Sequence, residues 1–139
     1  MAGIEIWRFR LRIGLAILYS AGGALHAVWP APFLSITPAW VPNAPNVILL
    51  TGLCEIAGAV GLLHPRLRRY AGIMLALYAV CVFPANIKHA LDDLGAGATS
   101  PWQWAYHLPR LALQPLIVWA ALFAGNVVFW PFRRFASGR

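Results

Sequence analysis

The chain has 139 residues, of which 60% are hydrophobic and 11% charged, with a formal net charge of +7. Soluble domains carry about a quarter charged residues, so this composition excludes an ordinary water-soluble protein and points to an integral membrane one. The positive charge is segregated along the chain in a way that membrane topology accounts for, and no nucleic-acid partner is expected.

Crossing about 30 Å of hydrocarbon takes roughly 20 helical residues, and windows near 11–29, 46–63, 70–91 and 107–130 supply them. The predicted fold is all-α, an integral membrane four-helix bundle forming one domain over 1–139. Arg8, Arg10 and Arg12 precede the first span. Its apolar run exceeds the about 7–15 residues of a signal-peptide core, so it is read as a retained signal anchor. Within it Tyr19, Gly22, Gly23 and His26 share one helical face.

Residues 30–45 follow, with prolines at 30, 32, 38, 42 and 45 and Phe33, Ile36, Trp40 and Val41 between them. Proline interrupts helix while the apolar side chains stay available, so this loop is expected to lie along the membrane surface as a lid. The second span places Gly52, Glu55, Gly58 and Ala59 together and ends in a tight basic turn, His64 to Arg69, which makes spans two and three an antiparallel hairpin. In the third span Pro84 cannot donate to the Val80 carbonyl, and a kink is expected with Asn86 and His89 just beyond it. Gly72 and Ala76 offer a small-residue face on which a homodimer could form. Lys88 is read as snorkelling outward.

The third loop, 92–106, opens with Asp92 and Asp93, passes Gly95, Gly97 and Ser100, and closes with the interfacial aromatics Trp102, Trp104 and Tyr106. In the fourth span His107, Arg110 and Gln114 lie at i, i+3 and i+7 on one stripe, continued by Ile117, Ala121 and Gly125. Arg133, Arg134 and Arg139 come last, so nine of the eleven basic residues fall on one side of a four-span topology. The positive-inside rule then puts both termini in the cytoplasm.

His26, Glu55, Asn86, Arg110 and Gln114 are thus one or two polar residues in each span. Rise per residue puts all five in the outer half of the bilayer, although antiparallel helices reverse the sequence direction. Buried ionisable groups in a membrane are costly, so one shared polar pocket is the expectation, with Glu55 and His26 as the catalytic candidates. Asn86, Arg110 and Gln114, with His89 and His107, are the candidate ligand-binding residues, and Arg110 is the natural counter-ion of Glu55. The alternative is interhelical glue.

Cys54 and Cys81 fall at comparable depths on adjacent spans but form no C-x-x-C, and small-residue packing is their expected role. No metal site is expected, since His26, His89 and His107 lie on three helices without a close-spaced pair such as H-x-x-x-H.

The runs GLCEIAGAVGLL (52–63), HPRLRR (64–69), VFPANIKH (82–89) and HLPRLALQP (107–115), with His26 and the Pro-rich loop carrying Trp40, resemble the DoxX-like family of small four-span bacterial membrane proteins. The resemblance covers nearly the whole chain and implies a multi-pass protein of the bacterial inner membrane. It also implies a site at Glu55, Asn86, Arg110, Gln114 and His26. Members of the wider DoxX and DoxD grouping are associated with membrane oxidoreductase systems, including a thiosulfate:quinone oxidoreductase, so a quinone is the candidate cofactor and a redox subunit the candidate partner. The fold further resembles quinone-linked four-helix proteins such as vitamin K epoxide reductase, whose paired redox cysteines are missing here.

Three readings follow. The chain is a quinone-interacting subunit of a membrane oxidoreductase, a non-redox membrane enzyme of isomerase type acting on a lipophilic substrate, or a non-catalytic scaffold. An ion channel is disfavoured because the cytoplasmic halves of the spans lack polar residues to continue a path.

Overall fold

A computed structural model describes residues 2–95, 97 and 100–131. They form six helices, α1 Ala2–Val28, α2 Ala31–Ile36, α3 Ala44–Leu63, α4 Arg68–Gly95, α5 Pro101–Ala112 and α6 Gln114–Ala124, with no strand among the described residues. Four helical stretches, Gly3–Val28, Ala44–Leu63, Arg68–Gly95 and Pro101–Ala124, are long and apolar enough to cross a membrane. The protein is an all-α, four-helix membrane bundle. Large side chains such as Ile17, Leu18, Leu53, Val60 and Leu77 point outward, as lipid-facing residues do, while the interior is built mainly from alanine, glycine and leucine.

The helix contacts place α1 against α3, α4 against α3 and α6, and α6 against α1. Two of these contacts run through glycine pairs. A Cβ on Gly23 would stand 2.5 Å from the Gly52 carbonyl oxygen, and one on Gly72 would stand 2.8 Å from the Gly125 Cα. Backbones approach this closely only where no side chain intervenes. Gly72 and Ala76, expected as an exposed dimer face, are therefore buried between α4 and α6 inside the monomer.

The fourth span differs from the sequence expectation at both ends. It begins at Pro101, not 107, because Ser100 caps it: its hydroxyl accepts from the Trp102 amide and the Gln103 side chain accepts from the Ser100 amide at 3.0 Å. It stops at Ala124, short of 130, with Gly125 as C-cap and Asn126 in the left-handed region at φ 61°. A single turn residue, Leu113, separates α5 from α6, and Pro115 sits in the first turn of α6. Asp92 and Asp93, expected in the third loop, form the last turn of α4, which also runs through Pro84 without a break.

The basic end holds an unexpected network. Arg8 and Arg12, read from the sequence as topology signals ahead of the first span, are both buried. Arg12 donates to the Ala124 carbonyl at 2.8 Å and to the Asn126 side chain at 2.7 Å, and Arg8 donates to the Val128 carbonyl at 3.1 Å. The Arg8 guanidinium also lies over the Phe123 and Phe129 rings, at 4.9 and 4.6 Å. Two cations thus close the C-terminal end of α6, where helical carbonyls lack partners and the dipole is negative. Arg133, Arg134 and Arg139 lie outside the described residues.

Candidate functional site

The opposite end of the bundle carries the Pro-rich segment and α2, which fold over the helix ends. Beneath them lies a cavity of about 500 Å³, roofed by Phe33, Ile36, Trp40 and Val41. His26, Glu55, Asn86, Arg110 and Gln114 all line it. Asn86 and Arg110 each sit nine residues from the lid-end terminus of their helices, Gly95 and Pro101, a depth of about 14 Å at the helical rise.

On one wall, His26 and Glu55 meet, with Nδ1 3.4 Å from Oε2. Gly22 makes room for the carboxyl, since a Cβ there would stand 2.9 Å from Glu55 Oε2. Tyr78 lines the same cavity, and the Phe33 ring packs edge-on against His26 with centroids 3.9 Å apart. Yet His26 Nδ1 and Glu55 Oε2 are both buried without a hydrogen-bond partner. The two atoms face each other, an ion pair when His26 is protonated but without the alignment of a hydrogen bond, in the wall of the cavity.

The other wall is a directed chain of hydrogen bonds. The Ala79 carbonyl accepts from Gln114, the Gln114 carbonyl oxygen accepts from Asn86 at 3.3 Å, and the Asn86 carbonyl oxygen accepts from Arg110. Arg110 also donates to His89 Nδ1 at 2.7 Å and lies over the Tyr106 ring. Every amide has its orientation fixed by the next, so the chain ends in a guanidinium. Two of its five N–H groups are engaged by side chains among the described residues.

The expected Glu55–Arg110 ion pair does not form. α5 packs on α4 and α6, so Arg110 is taken by Asn86 and His89 of α4, while Glu55 of α3 meets His26 of α1, the helix it packs against. His89 and His107 do not line the cavity. They lie next to it, around Asp93, where one ligand atom from each of the three residues falls within 4.8 Å of the others. No such group was expected from sequence, because the spacing at 89 and 93 is H-x-x-x-D, not a paired H-x-x-x-H. Lys88 bonds Asp92 and the Ser35 carbonyl, tying α4 to the lid. Cys54 and Cys81 are both exposed, so neither fills the core as expected, although Cys81 reaches the cavity wall.

The profile of the Domain of unknown function (DUF8561) matches residues 15–124. The chain belongs to the DUF8561 family. No curated protein and no solved structure matches it. The matched stretch of this DUF8561 chain runs from α1 to the end of α6 and contains every residue of the cavity and of the adjacent histidine cluster.

Proposed function

We propose that this DUF8561 chain binds a lipophilic molecule through a polar head held in the lid-end cavity, with a quinone as the ligand. The observation that carries the reading is the buried His26–Glu55 pair in one wall of a cavity whose other wall ends in Arg110. A head with oxygen at both ends answers both walls. Arg110 donates to one oxygen, and the His26–Glu55 pair holds or accepts the proton at the other. About 500 Å³ is within the common range for small-molecule sites, and the mostly apolar lining suits a hydrocarbon tail.

Reduction of a quinone consumes two electrons and two protons. The cavity offers proton-holding groups, so the electrons are assigned to a partner redox subunit. On this reading the chain is a quinone-interacting subunit of a membrane oxidoreductase, the role that the sequence resemblance to DoxX-like proteins also implies. By the positive-inside rule the basic end faces the cytoplasm of a bacterial inner membrane.

The scaffold reading draws on one observation of its own, that Asn86, Gln114 and Ala79 bond one another across helices. Titration with a short-tailed quinone separates the two readings, read by quenching of tryptophan emission, since Trp40 lines the cavity. Saturable quenching is expected, weakened about 10-fold or more by Arg110→Leu, the loss of one charge-assisted hydrogen bond. Quenching that does not saturate, or that Arg110→Leu leaves unchanged, favours the scaffold.

A further inference from the structure

We infer that His89, Asp93 and His107 form a site for a divalent transition-metal ion of zinc type. The site stands apart from the cavity and does not depend on the quinone reading. His89 and Asp93 are one turn apart on α4, so their side chains share a face. His107 on α5 comes across to meet them and is 1% exposed. Asp93 Oδ2 is 3.0 Å from His107 Nε2 and 3.4 Å from His89 Nε2. Ligand atoms held about 2.0–2.1 Å from zinc in a tetrahedron stand about 3.3 Å from one another, so two of the three edges already have the required length. The third, within 4.8 Å, closes by rotation of the imidazole rings.

Two imidazoles and a carboxylate are the donor set that zinc accepts in three-ligand sites with an open fourth position. His107 Nδ1 is buried without a partner, so the Asp93 carboxylate, an acceptor, holds the His107 ring proton on Nε2, the nitrogen that a metal would take.

Arg110 gives the site a consequence for the cavity. Its N–H donates to His89 Nδ1, which places the His89 proton on Nε2, facing Asp93. A metal at Nε2 takes the other neutral tautomer, so the one ring proton moves from Nε2 to Nδ1, where it opposes the Arg110 N–H. Metal binding therefore releases Arg110 from His89 toward the cavity it already lines. The ion and the cavity ligand are coupled through this one guanidinium.

The test uses tag-free, chelator-stripped protein in detergent, titrated calorimetrically with Zn²⁺ and optically with Co²⁺. One Zn²⁺ per chain is expected, with visible Co²⁺ bands of tetrahedral intensity. Asp93→Asn and His89→Gln should each weaken binding about 100-fold or more, at least the loss usual for altering a residue that merely supports a ligand. Arg110→Gln, which removes the competing donor and the nearby cation, should tighten it. The half-exposed Asp93 can be changed without disturbing the bundle, and His64→Gln, in the distant basic turn, should change nothing. Absence of saturable binding to the wild type overturns the inference. So does binding that survives Asp93→Asn and His89→Gln, or that His64→Gln removes.

Discussion

Gly52→Ala adds one methyl where α1 and α3 leave no space for it. The new Cβ would stand 2.7 Å from His26 Cβ and 2.8 Å from the Gly23 carbonyl oxygen. Carbon atoms pack comfortably at about 3.5–4.0 Å, so the two helices must part by roughly 1 Å. Neither obstacle is the flexible end of a side chain, and no rotamer change relieves the clash. Overpacking of this kind costs about 1–3 kcal/mol. Alanine returns about 0.5–1 kcal/mol by stiffening a helix interior, which leaves a net loss of about 1–2 kcal/mol, or roughly a 5- to 30-fold shift in the folding equilibrium. Gly14→Ala on α1 is the matched control, because a Cβ there meets nothing within 4 Å, and it should be neutral or stabilising by up to about 1 kcal/mol. Reversible unfolding in mixed micelles, followed by tryptophan emission, measures both. Equal shifts of the same sign for the two variants would falsify the close-approach argument.

Arg12→Leu should destabilise the fold by about 1–3 kcal/mol, because the Ala124 carbonyl and the Asn126 side chain lose their donor at the end of α6. Faster amide hydrogen exchange over 121–126 is the accompanying signature. Gln114→Leu should cost about 0.6–2 kcal/mol by cutting the α4–α6 link to the Ala79 carbonyl, and the same unfolding assay reads it. Phe33→Ala opens the lid over His26 with little change in stability. Loss of one aromatic contact, about 0.5–1.5 kcal/mol, should speed dissociation of a bound quinone about 2- to 10-fold in stopped-flow displacement.

The cavity was legible in the sequence because its residues break the rules of their surroundings. A glutamate in GLCEIAG or an arginine and a glutamine one turn apart in HLPRLALQP stand out in any apolar window, and equal depth in antiparallel helices brought them to one layer. Their pairing was not legible. Whether Glu55 meets Arg110 or His26 depends on which helices are neighbours, which depth does not give; and 101–106 reads as an aromatic-rich loop unless the Ser100–Gln103 capping box is given priority. The Gly125–Asn126 stop signal was similarly outweighed by the apolar run beyond it.

The burial of Arg8 and Arg12 was not legible for a different reason. Their i, i+4 spacing continues the stripe of Leu15, Ala16 and Tyr19 into the core, but a cluster of arginines before a span is equally what topology demands. Only the position of the α6 terminus distinguishes the two. His89 and Asp93 needed α4 to run to Gly95, and a sequence reading that ended the span at 91 left the aspartate in a loop.

The central claim is that the lid-end cavity holds a lipophilic molecule by its head. Native mass spectrometry of protein purified in mild detergent from a quinone-containing membrane tests it most directly. The account predicts a one-to-one adduct of quinone mass, lost when Arg110→Leu and Asn86→Leu are combined in a chain that still unfolds cooperatively. A folded wild-type chain that flies without any such adduct, or an adduct that persists in the double variant, contradicts it.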